Sequence, residues 1–231
     1  LNPKFEVESS EESNKLSGET TKFGIDEDDF CDVIDYAIQQ IKLFDPENFD
    51  EYDIGIHCMS GSNVLNSKHW ETLTTKLVSV WYKIKSECNY EVMEINLGGG
   101  IGIPYKPDDV KIDLELISKS FEKLYELDIN ICMENGRYIT GPYGWYVTNL
   151  QSIKYNSKDE LIYGLNGSMA DLMRPGMYGA YHHISILDKN NDNLEEANVV
   201  GTLCENNDWF AKNRLLPQAK PSDLFVIWDT G

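Results

Sequence analysis

No apolar run in this chain approaches the ~20 residues that a membrane-crossing helix needs, and the mean hydropathy is −0.42. A membrane partner is therefore not expected. Basic residues are scarce: 20 Lys and Arg stand against 39 Asp and Glu, for a net charge of −19. Nucleic acid is bound through stripes of lysine and arginine; none is present here, so a nucleic-acid partner is not expected either. The acidic balance otherwise bears on solubility rather than chemistry. None of the five cysteines (31, 58, 88, 132 and 204) belongs to a C-x-x-C pair. A zinc cluster is not expected, and the thiols read as reduced and intracellular, with Cys58, Cys88 and Cys132 in or beside apolar runs. The chain does not begin with Met and shows no low-complexity tract and no internal repeat beyond a βα unit, and a signal peptide is not expected. Its opening residues, LNPKFEV, read as a strand leaving a core, and its last, DLFVIWDTG, as a strand just ended. Both ends read as cuts through a larger fold.

What is present is enough for a substantial core: 231 residues, 41% hydrophobic and 11% aromatic, in one large domain or two small ones. Residues 8–21 are polar and turn-rich, a loop. Residues 27–43 place Phe30, Val33, Ile34, Ala37, Ile38 and Ile41 at helical spacing behind a first turn of acids. A unit then repeats. YDIGIHCM, YEVMEINLGGG and INICMENG are short apolar strands, and residues 69–87 and 109–127 between them are amphipathic helices. Crossovers of this length imply parallel strands with right-handed connections, hence an α/β fold, an open sheet or a piece of a barrel. From about 143 the pattern changes to β runs separated by Asn, Asp, Gly and Lys turns, as in GWYVTNLQSIKYN, ELIYGLNG and ANVVGTLC. The expected division is an α/β part over 1–142 and an antiparallel β domain over 143–231.

Small and polar residues gather where the three parallel strands end: HCMSGS, NLGGGIG and ENGRY. Ligand sites of α/β folds form at the carboxyl ends of parallel strands. Gly98, Gly99 and Gly100 make a tight turn or let backbone N–H groups approach an anion. Ser62 at one neighbouring strand end, with Gly136 and Arg137 at another, favours the second reading, a phosphate cradle. Glu134 and Arg137 form a surface ion pair, or Glu134 meets a cation at the mouth of the sheet, such as a protonated heterocyclic nitrogen. Cys204 and Glu205 end a strand of the β domain. In MRPGMYGAYHH, the adjacent His182 and His183 point to opposite faces, so a two-His metal site is not expected, and no other metal site is.

Seven stretches, in order and over nearly the whole chain, resemble the fold-type III pyridoxal phosphate decarboxylases. They are NP…KFGI (2–25), GIHC-x-x-GS (55–62), NLGGGIGI (96–103), ENGRYITGPYG (134–144), LMRPGMYGAYHHI (172–184), GTLCENNDWFAKNRLLP (201–217) and DTG (229–231). RPGMYGAYHH and CENNDWFAKNRLLP point to the diaminopimelate branch. The resemblance implies the C-terminal strands of an alanine racemase-like (β/α)8 TIM-type barrel over 1–142, then the first part of a C-terminal β domain over 143–231. It implies a cytoplasmic homodimer with shared active sites, using pyridoxal 5′-phosphate to decarboxylate meso-diaminopimelate to lysine.

On matching positions, the resemblance assigns the cofactor phosphate to Gly98, Gly99, Gly100, Ser62, Gly136 and Arg137, and the pyridinium nitrogen to Glu134. Arg137, Arg174 and Tyr178 would hold carboxylates of the amino-acid substrate. Cys204 would donate the proton to the carbanion from across the dimer interface, and Glu205 would contact the distal amino group. Three departures matter, and a fourth is milder. The cofactor-linking lysine of a Y-A-x-K strand has no counterpart here, so the chain alone is expected to be inactive, and the family's C-terminal tyrosine strand has none either. Met59 stands where the pattern H-C-H-x-G-S has a ring-stacking histidine, and, more mildly, Asn135 where E-P-G-R has proline. The alternative expectations are a catalytically lost, dimerising or regulatory relative, or a same-fold decarboxylase of another amino acid such as carboxynorspermidine or arginine.

Overall fold

The computed structural model describes Asn2 and residues 21–231. The polar segment 8–20 and the opening strand, Asn2 apart, lie outside the described residues. The chain divides into two compact units, one of Leu1–Ile103 and Val110–Tyr138, the other of Pro104–Asp109 and Ile139–Gly231.

The first unit is α/β. Three strands, β1 (Ile56–His57), β2 (Glu94–Asn96) and β3 (Asn130–Cys132), form a parallel sheet in the order β1-β2-β3. Helix α1 (Phe30–Phe44) precedes it, α2 (Lys68–Glu87) joins β1 to β2, and α3 (Leu114–Ser120) and α4 (Glu122–Tyr125) join β2 to β3. The α2 pattern puts Trp70, Leu73, Leu77, Trp81 and Ile84 on one face, and all are buried with Ile56, Ile95, Leu97 and Leu124. The expected helix over 109–127 starts only at Leu114. The Asp109 carboxylate accepts the N–H groups of Tyr105 and Lys106, which closes a turn. Asp113 then caps α3 by accepting from Glu115 and Leu116.

One sequence expectation is overturned here. Cys31, in the first turn of α1, and Cys88, capping α2, form a disulfide across a sequence separation of 57, so the five thiols are not all reduced. Helical packing brings together two residues that neither motif nor spacing links. Closing a loop of this length is worth about 2–4 kcal/mol. Denatured, unreduced protein should titrate with the three thiols of Cys58, Cys132 and Cys204. Once a reductant is added, the urea midpoint should fall and the extrapolated unfolding free energy should be lower by that amount.

The second unit holds a six-stranded sheet in the order β6-β9-β4-β5-β7-β8. Its strands are β4 (Trp145–Tyr155), β5 (Leu161–Leu165), β6 (Ile184–Ile186), β7 (Leu194–Val200), β8 (Trp209–Pro217) and β9 (Leu224–Trp228). One face buries Leu150, Tyr163, Leu165, Val199, Phe210, Phe225 and Ile227. The sheet is not wholly antiparallel as expected: β5 and β7 run parallel, with Leu161 opposite Ala197 and Gly164 opposite Val200. The chain between them is long enough to return in the same direction; it includes β6 and the short helix α6 (Arg174–Tyr178).

Candidate active site

The parallel ladder sets out the first half of the site. In register, His57 pairs with Asn96 and Asn96 with Cys132. Two residues further along each strand stand Met59, Gly98 and Glu134, still joined by Glu134 N–H donating to the Gly98 carbonyl at 2.8 Å. Three chain segments thus leave the sheet side by side.

The glycine run has little room for side chains. Gly98 and Gly100 sit at φ +66° and +109°, conformations that L side chains rarely adopt. A Cβ on Gly98 would lie 2.8 Å from Met59 Sδ, one on Gly99 2.6 Å from the Glu134 carbonyl oxygen, and one on Gly100 2.5 Å from that of Gly61. Close approach explains all three. Most N–H groups of the turn are already taken: Gly98 donates to Asn96 Oδ1 (2.9 Å), Gly99 to Met59 Sδ (3.1 Å), Ile101 to Asn135 Oδ1 (3.3 Å) and Ile103 to Asn63 Oδ1 (2.9 Å). Gly102 donates to Val64 O. Gly100 keeps its N–H, which makes no hydrogen bond among the described residues. Met59 therefore lies against the glycine turn and takes one of its donors, as a thioether can.

Glu134 is exposed beside this turn. Asn96 Nδ2 donates to its Oε1 at 3.0 Å, and His57 Nε2 lies 3.7 Å from its Oε2. Asn96 is thus shared, its oxygen on the turn and its amide on the carboxylate. The sequence places it first in NLGGGIGI but gives it no role, because its side-chain partners lie at another strand's end or in the turn. Ser62 is half-buried just after Gly61, and Gly136 opens the short helix α5 (Gly136–Thr140) with nothing, among the described residues, within 4 Å of the space a side chain would fill. Arg137 follows it on α5. Cys58, in contrast, is fully buried in the core, and burial pushes its thiol up to about 11, so it has no nucleophilic role.

The second unit carries the remaining candidates. Arg174 begins α6 and the exposed Tyr178 ends it, before Gly179 at φ +64°. Cys204 and Glu205 are exposed on the bend between β7 and β8. That bend is built on Asp208, whose carboxylate accepts the N–H groups of Met169 (2.6 Å) and Leu203 (2.7 Å). Its N–H donates to the Glu205 carbonyl at 3.1 Å, and a Cβ on Gly201 would collide with its carboxylate. Asp208 is 4% exposed, so the buried acid, four residues past Cys204, organises the turn that presents the thiol. The residues fall into two groups: Ser62, Gly98–Gly100, Glu134, Gly136 and Arg137 in the first unit, and Arg174, Tyr178, Cys204 and Glu205 in the second.

Comparison with known proteins gives the family. The sequence model of the family described as "Pyridoxal-dependent decarboxylase, C-terminal sheet domain" matches residues 31–231. The chain belongs to the pyridoxal-dependent decarboxylase family. "Protein TabA" of Pseudomonas amygdali pv. tabaci is 39% identical over 182 residues, covering 77% of this chain and 43% of the relative. The diaminopimelate decarboxylase of Methanothermobacter thermautotrophicus is 30% identical over 223 residues, covering 93% of this chain and 50% of the relative. A crystal structure of the diaminopimelate decarboxylase of M. jannaschii in co-complex with L-lysine superposes with a TM-score of 0.68 at 30% identity, covering 77% of this chain and 42% of that one. The chain spans about half the length of the curated relatives it matches. The two units accord with the family fold, a portion of a (β/α)8 barrel followed by a sheet domain.

Proposed function

We propose that the full-length protein is a pyridoxal 5′-phosphate-dependent carboxy-lyase that converts meso-diaminopimelate to lysine. The observation that supports this most is the row Met59, Gly98, Glu134 at the strand ends, which puts the glycine turn and a carboxylate on one edge of the sheet. The residues fit the cofactor. Gly100 has an N–H to offer, the space beside Gly136 is open, and Glu134 is an exposed carboxylate already oriented by an amide. Gly98, Gly99, Gly100, Ser62, Gly136 and Arg137 would hold the phosphate, Gly98 and Gly99 by permitting close approach and Gly100 by donating. Glu134 would keep a proton on the ring nitrogen. When bound, the cofactor supplies the electron sink for the pair left behind by the departing carboxylate.

The chain's own side chains do the rest. Arg137, Arg174 and Tyr178 bind carboxylates, the arginines by charge-assisted hydrogen bonds. Cys204 gives a proton to the α-carbon, and Glu205 holds the distal ammonium group. The exposure of both on the Asp208 turn suits a site completed across a homodimer, in which each subunit serves the other. The family's biosynthetic role suits a cytoplasmic enzyme. The Cys31–Cys88 disulfide makes the compartment a specific question, since thiols there are kept reduced.

Full-length protein with cofactor should release carbon dioxide and lysine from meso-diaminopimelate. Glu205→Gln should lose at least about tenfold in kcat/KM with cofactor binding unchanged. Failure to release carbon dioxide from meso-diaminopimelate would sink the reading. A second substrate is favoured by one observation, the 39% identity to a relative of another name. A panel of arginine, ornithine, carboxynorspermidine and diaminopimelate separates the two.

A further inference from the structure

The second unit contains a chain of contacts that ends on Arg174 and has no place in the function just proposed. His182 is 1% exposed. Its Nε2 lies 2.8 Å from Arg174 Nη1 and its Nδ1 2.8 Å from the Trp228 carbonyl oxygen. The guanidinium carbon lies 4.7 Å from the centroid of the Tyr105 ring, and that ring meets the His182 imidazole edge-on at 5.0 Å. Arg214 Nη1 donates to the His182 carbonyl at 2.8 Å, so the backbone of the histidine is held as well as its ring.

These contacts define the proton positions. A guanidinium has only donors and is always charged, so His182 Nε2 must be the acceptor. The imidazole is then neutral, with its proton on Nδ1, and a carbonyl oxygen waits at that nitrogen to accept it. A protonated ring would turn a second N–H against Arg174. The aromatic face of Tyr105 adds a cation–π contact on another side of the guanidinium.

We infer that His182 is the positioning residue for Arg174, holding the guanidinium, as the neutral Nδ1–H tautomer, in the orientation that binds a substrate carboxylate. His182 itself touches no substrate; held by the Trp228 carbonyl, it acts by restricting where Arg174 points, against the Tyr105 ring. The inference rests on the reading of Arg174 as a carboxylate ligand.

Two near-isosteric variants of the full-length protein separate positioning from packing. Glutamine places an amide oxygen near Nε2 and keeps the acceptor for Arg174 while losing the Trp228 contact. Asparagine places its amide near Nδ1 and keeps the Trp228 contact while losing the acceptor. His182→Asn should raise KM for meso-diaminopimelate about 10- to 30-fold, with kcat within about threefold and the pyridoxal phosphate dissociation constant unchanged. His182→Gln should hold KM within about threefold. A crystal structure of H182N should show the guanidinium displaced from the Tyr105 ring. The inference is overturned if H182N keeps both KM and the position of Arg174, or if folded H182Q raises KM as far as H182N does. If H182N does not fold, H182Q decides alone: KM near wild type supports the role and a tenfold rise rejects it. Should the wild-type enzyme not turn over meso-diaminopimelate at all, the functional reading fails by itself, and the place of Arg174 in the variant crystals still decides whether His182 holds it.

Discussion

Replacing Glu134 with glutamine is expected to lower decarboxylation by about 10²–10³-fold, the range seen when one preorganised electrostatic partner of a developing charge is removed. The carboxylate is held at one oxygen by Asn96 Nδ2 and approached at the other by His57. The backbone of Glu134 is tied to Gly98. Glutamine keeps the shape and the Gly98 contact but cannot hold a proton on a ring nitrogen, because its amide carries no negative charge. Carbon dioxide release should fall while the cofactor dissociation constant, carried by the phosphate end, moves by no more than about threefold. Asn96→Ala should show a weaker form of the same loss, with some weakening of cofactor binding too, since its side chain also holds the Gly98 N–H. Retention of wild-type turnover by E134Q would remove Glu134 from the ring nitrogen.

Gly100→Ala is expected to weaken pyridoxal phosphate binding by at least about 30-fold, which corresponds to ~2 kcal/mol. Two independent costs fall on one position. At φ +109° an alanine is strained whatever the space around it. The added Cβ would also stand 2.5 Å from the Gly61 carbonyl oxygen, an atom of the backbone that cannot rotate aside. Relief requires the Gly61–Ser62 segment or the Gly100 peptide to move, and either displaces a proposed phosphate contact. The parallel ladder and the α2 core lie outside the strained turn, so the melting temperature should change little. Fluorescence titration of cofactor alongside thermal unfolding checks both halves, and an affinity within threefold of wild type would show that the turn does not carry the phosphate.

Much of the fold is legible in local sequence. Helix α2 announces itself because Trp70, Leu73, Leu77 and Ile84 recur at helical spacing, and the same residues form the core. The change from α/β to β character is visible in turn chemistry and β-branched runs. Helix α3 misleads, since the acids at 109 and 113 look like a helical first turn, yet Asp109 closes a turn and Asp113 is the cap. The length of the strands is over-read for a related reason. Past Asn96, the N–H groups of Gly98 and Gly99 go to Asn96 Oδ1 and Met59 Sδ rather than to a neighbouring strand, and the regular ladder stops.

By itself, the sequence determined the order of the three parallel strands and the helices α1 and α2, the burial of the α2 face, and the clustering of glycine and polar residues where parallel strands end. These follow from periodicity and from the conformations glycine alone adopts, both properties of neighbours along the chain. Only the tertiary structure decided that Met59 bonds the glycine turn, that Asn96 serves both that turn and Glu134, and that Asp208 builds the Cys204 bend. It alone decided that His182 accepts from Arg174, that β5 and β7 run parallel, and that Cys31 and Cys88 are joined. Most of these pairings join residues far apart in sequence, where no spacing rule reaches. They exist because the folded backbone brings a donor within hydrogen-bond distance of an acceptor, a strand beside a strand, or a thiol beside a thiol.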